Sequence, residues 1–366
     1  AAAVRRLAEA AGAAVVLSPG SVGVMPDGHP QNLHVGGSKG SISGNWAMDE
    51  AELLVVIGSR AVCQADCSGI GWPRVGRVIN LNADPLDVQH YNATLALPGD
   101  AAVVADRLAT LLEGMEPAPA KARWLADAAA KKAEWLAFRD SRAAAPAMAD
   151  PFWPRPVMTQ PQAIATAEAW CRNHGALKFF DAGDVQANGF QLVQDDAPFE
   201  TFTESGASYM GFAVSALLSQ ALVDHGRYGV AFTGDGSFMM NPQVLVDAVA
   251  HGAHGTVLLF DNRRMAAISS LQDAQYGVNW RTHDGVAVDY IAMARAVAGV
   301  AGFDGGTSPG ELTAALTQAR AHPGLSLVHV PVYFGPDPVG GMGAYGQWNV
   351  GNWCRAVQAR YAETLI

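Results

Sequence analysis

Long apolar runs are missing from this sequence. Nothing in its 366 residues approaches the roughly 20 consecutive apolar residues that a membrane-spanning helix needs. Positive charge is also scarce: Lys plus Arg total 24 against 34 Asp plus Glu, a net charge of -10, with no basic run and no interleaving of basic with aromatic residues. That balance excludes nucleic acid and anionic membrane surfaces as partners. Cysteine is rare as well. The four, Cys63, Cys67, Cys171 and Cys354, form neither CxxC pairs nor a dense framework, so reduced thiols are expected. Cys63 and Cys67 stand one helical turn apart, but no second pair at ligand spacing completes a zinc site. The opening "AAAVRRLAEAAGAA" reads as an amphipathic helix and not as a signal peptide, so a cytoplasmic protein is expected.

What is present is a chain that is half apolar and long enough for two domains. Residues 1–115 alternate short strand-like runs ("GAAVVLSP", "DEAELLVVIGS", "GRVINLNADP") with helical ones such as "DAAVVADRLATLLEG". Nearly continuous apolar strands separated by helices belong to a parallel sheet covered on both faces. Residues 116–160 read as a helical linker rich in Pro and Ala. From 161 to 366 the alternation resumes: "LKFFDAG", a long helix over "SYMGFAVSALLSQALVD", then "YGVAFTGDG", "NPQVLVDAVAHG", "GTVLLFDN", two further helices and the strand "LSLVHVPVY". The predicted fold class is α/β, with two doubly wound parallel-sheet domains, and ligands are expected at the carboxyl ends of the strands.

One such end is "VAFTGDGSFMMN". Asp-Gly after a strand is an ordinary turn signal. Here, however, the next strand ends at Asn262, and consecutive parallel strands are usually neighbours. Asp235 and Asn262 are therefore expected to face one crevice about one strand spacing apart. An acid and an amide oxygen suit magnesium, which takes few protein ligands and leaves the rest to water and phosphate. Gly234, Gly236 and Ser237 offer backbone N–H groups for that phosphate, at the mouth of a helix.

"GDGS", followed by the Asn of "DN" 27 residues after its Asp, resembles the cofactor signature of thiamine-diphosphate enzymes. The resemblance implies thiamine diphosphate and Mg2+ as cofactors, held by the side chains of Asp235 and Asn262 and by the backbone carbonyl of Arg264. Gly183, Asp184 and Met265 fall within the same cofactor-binding set. "ESGASYMGF" resembles the family segment in which a bulky apolar residue props the cofactor into its bent form, and Met210 falls at that place. The Ser208 carbonyl falls where the family binds the aminopyrimidine's amino group. Ile268 falls where decarboxylases that release aldehydes carry a proton-donating Glu; an apolar residue there argues against aldehyde release. Ala267 and Gln272, from the same segment, complete the candidate catalytic set.

Within that superfamily "GDGSFMM", "FDNRRMAAISSLQ" and "ESGASYMGF" are most similar to the trihydroxycyclohexanedione hydrolases and other enzymes that cleave cyclic 1,2-diones, and "SPGSVGVMPDGHP" with "INLNADP" to the central domain of acetolactate-synthase-like enzymes. The resemblance implies a 2-oxo or 1,2-dione substrate and a dimer or tetramer. Three outcomes stay open: hydrolytic cleavage of a cyclic dione, acetolactate-type carboligation, and a noncatalytic cofactor-binding subunit. Family members also need a Glu from a pyrimidine-binding domain. This sequence offers no candidate for it, and its first domain opens without the expected strand, so that domain is expected on a separate subunit or a longer polypeptide. Other departures are Arg264 and Ala266 where the group has glycines, and Asp184 where relatives place a neutral residue facing the diphosphate. Arg263 or Arg264 is expected to offset that charge. "GAYGQWNVGNW" is a candidate aromatic lid. The glycines of "HVGGSKGSISGN" leave FAD or ADP conceivable in the first domain, with a solvent loop the simpler expectation.

Overall fold

Parallel pairing builds every sheet in the computed structural model, which describes residues 1–60, 71–91, 93–115, 119–204, 206–283, 285–335 and 337–339. These fall into two units, Ala1–Phe138 with Gln194–Pro198, and Arg139–Val193 with the described residues from 199 to 339. The second half of "GAYGQWNVGNW" and the cysteines at 63, 67 and 354, like the rest of that candidate lid, lie outside the described residues. No helix among the described residues is long and apolar enough to cross a membrane.

The first unit contains α1 (Ala2–Ala11), β1 (Val15–Leu17), β2 (Asn32–Val35), α2 (Ile42–Glu50), β3 (Leu53–Ile57), β4 (Arg77–Asn82), β5 (Thr94–Pro98), α3 (Ala101–Leu112) and the start of α4 (Pro119–Ala143). β1 pairs with β2, and β3, β4 and β5 form a second sheet in that order. Leu7 of α1 and Ala105 and Ala109 of α3 pack against Ile57, Ile79, Leu81 and Leu97 on one face of it. Asp100 starts α3 by accepting the N–H groups of Ala102 and Val103 at 2.8 and 3.0 Å. The strand β2 is hidden from a pattern reading because its alternate residues are polar yet buried. Asn32 donates to the carbonyls of Met25 and Pro26, and His34 meets Asp27 at 3.1 Å.

The glycine-rich stretch after β2 is not a solvent loop. A side chain at Gly36 would lie 2.5 Å from Val16 Cγ1, and one at Gly40 would lie 2.6 Å from the carbonyl carbon of Gly36. Ser41 and Ser43 donate to the Leu33 carbonyl, and Asn45 both donates to and accepts from the backbone of Gly37. Close packing therefore accounts for these glycines without a nucleotide.

The division between the units falls within α4, inside the segment expected as a linker. Trp124 of α4 stacks on Trp46 with centroids 4.9 Å apart, and Lys132 donates to the carbonyls of Asp27 and His29.

The second unit continues with α5 (Gln160–His174), β6 (Leu177–Phe180), α6 (Asp184–Leu192), β7 (Thr201–Thr203), α7 (Phe212–Leu217), α8 (Ser219–Leu222), β8 (Gly229–Gly234), α9 (Asp235–Phe238), α10 (Val244–Ala250), β9 (Gly255–Asp261), α11 (Ala266–Tyr276), α12 (Tyr290–Arg295), β10 (Ala301–Asp304), α13 (Pro309–Ala321) and β11 (Leu325–Pro331). Its six-stranded sheet has the order β10-β11-β9-β8-β6-β7. Helices lie against it, and the core centres on Phe179, Leu217, Ala231, Phe238, Val257 and Leu259. The long helix expected over "SYMGFAVSALLSQALVD" is instead two short ones. α7 starts after Gly211, whose φ of 88 is left-handed, and i to i−3 hydrogen bonds at Leu218 and Ala221 tighten the joint with α8.

Candidate active site

The order of the second sheet creates a topological switch. From β6 the chain goes outward to β7 on one side and returns to β8 on the other. The loops that leave the carboxyl ends of β6 and β8 therefore part from each other and open a crevice. The first is Asp181-Ala182-Gly183-Asp184, with Gly183 at φ 83, and it leads into α6. The second is Gly234-Asp235-Gly236-Ser237. The helix expected behind it is the single turn α9, so this turn offers close backbone approach and little helix dipole. β9 pairs directly with β8, Gly234 lying opposite Phe260, which sets Asp235 and Asn262 at the ends of adjacent strands.

Negative charge is crowded at those ends. Asp235 and Asp261 are both buried. The Asp235 carboxyl is pushed up to about 7, by burial first and then by the charge of Asp261, against the N–H groups of Gly236 and Arg263. Asp261 is held at 2.9 Å by His329 Nε2 and accepts the N–H of Arg263 at 3.2 Å. Arg263 has a left-handed φ of 52, and the Asn262 side chain accepts the Arg264 N–H at 3.0 Å. This loop is thus folded by its own acids and amide. The Arg264 carbonyl accepts the Ala266 N–H at 2.9 Å and keeps a second lone pair. Two buried carboxylates this close make a place that favours a cation. Among the described residues no group of three or more His, Cys, Asp or Glu is arranged around a metal ion. The available donors are one acid, one amide and one carbonyl, the sparse all-oxygen set that magnesium accepts.

The apolar candidates converge on Gly236. A side chain there would lie 3.0 Å from Met265 Sδ and 3.6 Å from Met210 Cε. The missing Cβ therefore opens a cradle between two thioether tips. A side chain at Gly183 would lie 3.9 Å from Ala267 Cβ, so α11 begins beside the β6 loop. Ile268 is exposed and follows Ala267 on α11. Ser237 is buried at the start of α9. Gln272 binds the chain after α11: its amide accepts the Trp280 N–H at 2.6 Å and donates to the Trp280 carbonyl.

The arginine that offsets Asp184 is not Arg263 or Arg264. Arg263 lies over the rings of Phe152 and Trp153, at 5.5 and 4.9 Å, and Arg264 lies over Phe334 and donates to its carbonyl. Rings before α5 hold Arg263, and the ring of Phe334 after β11 holds Arg264. Arg142 is a third arginine of this unit: it is buried, it binds Asp337, Asn188 and Gln191, and it feels the charge of Asp184. Burial pushes its guanidinium below the ordinary value, against the pull of Asp337 and Asp184. Nothing in the local sequence of α4 signals this, because the helix reads as a solvated Ala/Lys/Glu stretch. Asp181 was also not foreseen. It is wholly buried at the end of β6, accepts the Gly211 N–H at 2.8 Å and the Thr233 hydroxyl at 2.9 Å, and burial raises its carboxyl. The signal for it was an acid one residue beyond an apolar strand.

Comparison with known proteins gives two family matches. Residues 1–108 match the thiamine pyrophosphate enzyme central domain, and residues 181–330 match the thiamine pyrophosphate enzyme C-terminal TPP binding domain. Relatives include the acetolactate synthase isozyme 1 large subunit of Escherichia coli (strain K12), 27% identical over 90% of this chain and 56% of the relative. A 3D-(3,5/4)-trihydroxycyclohexane-1,2-dione hydrolase of Bacillus subtilis (strain 168) is 26% identical over 82% of this chain and 50% of the relative. A probable acetolactate synthase large subunit of Methanocaldococcus jannaschii is 24% identical over 74% of this chain and 45% of the relative. The chain spans about half the length of these curated relatives.

Proposed function

We propose, from the premise that this chain belongs to the thiamine pyrophosphate enzymes through their central and C-terminal TPP binding domains, that it binds thiamine diphosphate with Mg2+ and takes part in making or breaking a C–C bond beside a carbonyl. The observation that carries this is the pairing of Asp235 and Asn262 at the ends of adjacent strands beside the Gly236 cradle. In this reading the Asp235 carboxylate, the Asn262 side-chain oxygen and the Arg264 carbonyl hold the magnesium ion. Their negative charge and dipoles offset its own, and relieve the crowding with Asp261. The N–H groups of the Gly234–Ser237 turn and the Gly183–Asp184 loop receive the diphosphate. Arg142 offsets Asp184 so that a polyanion can approach it. Met210, with Met265 across Gly236, supplies the flexible apolar wall against which the bent cofactor rests. Bound thiamine diphosphate supplies a nucleophilic carbon and an electron sink for the carbonyl substrate. Ile268 and Ala267 give that region no exchangeable proton, which disfavours release of an aldehyde.

The substrate assigned first is a cyclic 1,2-dione, hydrolysed at the C–C bond. Its support is the likeness of "GDGSFMM" and "ESGASYMGF" to the dione hydrolases and the match to the Bacillus relative. Acetolactate-type carboligation of 2-oxo acids is the second reading, favoured by the extent of the match to the Escherichia coli synthase subunit. Calorimetric titration of the chain with thiamine diphosphate, with and without Mg2+, tests the cofactor. Tight binding that needs Mg2+ is expected, and binding indifferent to Mg2+ would remove the Asp235–Asn262 assignment. Turnover is then assayed with a cyclic dione and with pyruvate, with the pyrimidine-binding domain supplied. Acid release from the dione supports the first reading and acetolactate supports the second. Cofactor binding without turnover of either substrate makes the chain a binding subunit.

A further inference from the structure

The turn that carries Ser208 and Met210 adopts a conformation that its own residues disfavour. Ser208 lies at φ 58, in the left-handed region where residues other than glycine are strained. Three side chains keep it there. Glu204, at the start of the turn, accepts the N–H groups of Gly206 and Ala207 on one oxygen, at 2.7 and 3.0 Å, and those of Ala207 and Tyr209 on the other, at 3.1 and 3.4 Å. Gln186 of α6, wholly buried, donates to the Thr203 hydroxyl and to the Glu204 carbonyl, both at 2.8 Å, and accepts from the Ser208 hydroxyl at 3.4 Å. Asp181 accepts the Gly211 N–H at the exit, as described above. The turn is therefore fastened at its entry, its tip and its exit.

Burial raises the Glu204 carboxyl, but the N–H groups of Ala207, Gly206, Ser208 and Tyr209 outweigh it and leave the group below the ordinary range. A carboxylate that gathers backbone donors in this way rigidifies the segment it sits in. Strain held by surrounding groups usually marks a site where a fixed geometry is needed before the ligand arrives. Two features fit that need. The Ser208 carbonyl accepts no hydrogen bond among the described residues, so it is left for a donor outside the turn. The Met210 tip stands beside Gly236.

We infer that Glu204, assisted by Gln186 and Asp181, is a positioning residue that presets the Ser208 carbonyl and the Met210 side chain for the aminopyrimidine half of thiamine diphosphate. The inference rests on the cofactor reading above and adds to it a division of labour. The diphosphate half is received by the loops after β6 and β8, and among the described residues the Glu204 carboxylate bonds within its own turn and not to residues 181–184 or 234–237. Removing Glu204 must therefore weaken recognition of the organic half alone.

The test compares two ligands on one protein by calorimetry in the presence of Mg2+: thiamine diphosphate, and inorganic diphosphate, which lacks the aminopyrimidine. In Glu204→Ala, thiamine diphosphate should bind about tenfold or more weakly, the scale of lost charge-assisted hydrogen bonds, while inorganic diphosphate keeps its wild-type affinity. Glu204→Gln, which retains one acceptor oxygen, should fall between wild type and Ala, and it carries the same comparison if the Ala variant folds poorly. Unchanged thiamine diphosphate affinity in both variants overturns the inference. A parallel loss on both ligands also overturns it, since that reports general damage to the unit. A wild-type chain that binds neither ligand would sink the cofactor reading itself, which keeps the two failures apart.

Discussion

Two glycine-rich turns stand at strand ends in this chain, one in each unit, and they use the space of a missing side chain in opposite ways. After β2, Gly36 and Gly40 are pressed by Val16, Met48 and the backbone itself, and Ser41, Ser43 and Asn45 bind the neighbouring carbonyls and amides. The space there is already filled. After β8, the position a Cβ would take at Gly236 faces only the flexible ends of Met265 and Met210, and the acids beside it crowd one another. Glycine content is the same kind of signal in both. What separates packing from a binding site is whether backbone or side-chain tips border the gap, and whether charge is left over.

The largest expected break in this contrast is Asp235→Ala. Mg2+-dependent binding of thiamine diphosphate should fall by at least about a hundredfold, the effect of deleting a charged ligand. Thermal unfolding of the cofactor-free protein should shift upward or stay level, because a repelled buried carboxylate has been removed. A fall in melting temperature with binding intact would reverse the roles assigned to the two turns. Next is Arg142→Met, which takes away the buried cation that binds Asp337. A loss of about 3–5 kcal/mol is expected in chemical denaturation, and a loss under about 1 kcal/mol would mean that the Arg142–Asp337 pair acts as no more than a surface ion pair. A matched pair comes third. Gly40→Ala forces a Cβ to 2.6 Å from backbone that has no room to yield, so a cost of about 1–3 kcal/mol is expected with cofactor affinity unchanged. Gly236→Ala meets only a thioether at 3.0 Å. It should cost less than about 1 kcal/mol of stability and yet weaken cofactor binding measurably.

The same distinction explains what could be read from sequence. Apolar strands such as those of β8 and β9 were legible because both faces are buried, and their adjacency followed from chain order. Membership of the family was legible because "GDGS" and "DN" resemble its cofactor signature and stand a helix and a strand apart. β2 was not, since its buried Asn32 and His34 are paid for by partners distant in sequence. The break between α7 and α8 was missed because Leu217, Leu218, Ser219 and Gln220 run through it without a proline, a glycine or a charge. Arg142 was invisible for a similar reason: an arginine on a polar helix looks solvated until α6 and Asp337 are packed around it. Arg263 and Arg264 misled in the other direction, since closeness in sequence to Asn262 said nothing of the aromatic rings that draw them aside.

The smallest prediction sharpens the contrast through carboxylates. Asp235 is an acid whose surroundings push its carboxyl up, whereas Glu311 is one whose surroundings pull it down to about 2. Glu311 closes the first turn of α13. It accepts the Thr307 N–H at 2.8 Å and the Ser308 hydroxyl at 2.9 Å, while Ser308 accepts the Glu311 N–H at 3.3 Å, and Arg155 stands 3.2 Å away. The Thr307 N–H contributes most to the lowering, then the Ser308 hydroxyl, and burial opposes them weakly. Because the folded-state value lies below the ordinary 4.5, the unfolded chain takes up the proton first as pH falls. The stabilisation is therefore complete above about pH 4.5 and is lost progressively toward pH 2. The group is largely exposed, so its contribution is screened and amounts to a helix cap's worth, no more than about 1 kcal/mol. Glu311→Gln should lower stability slightly at pH 7 and flatten the acid limb of the denaturation midpoint between pH 4.5 and 2, leaving cofactor affinity untouched. An acid limb as steep as that of the wild type would show that a satisfied carboxylate at a helix start is not what the fold loses first in acid.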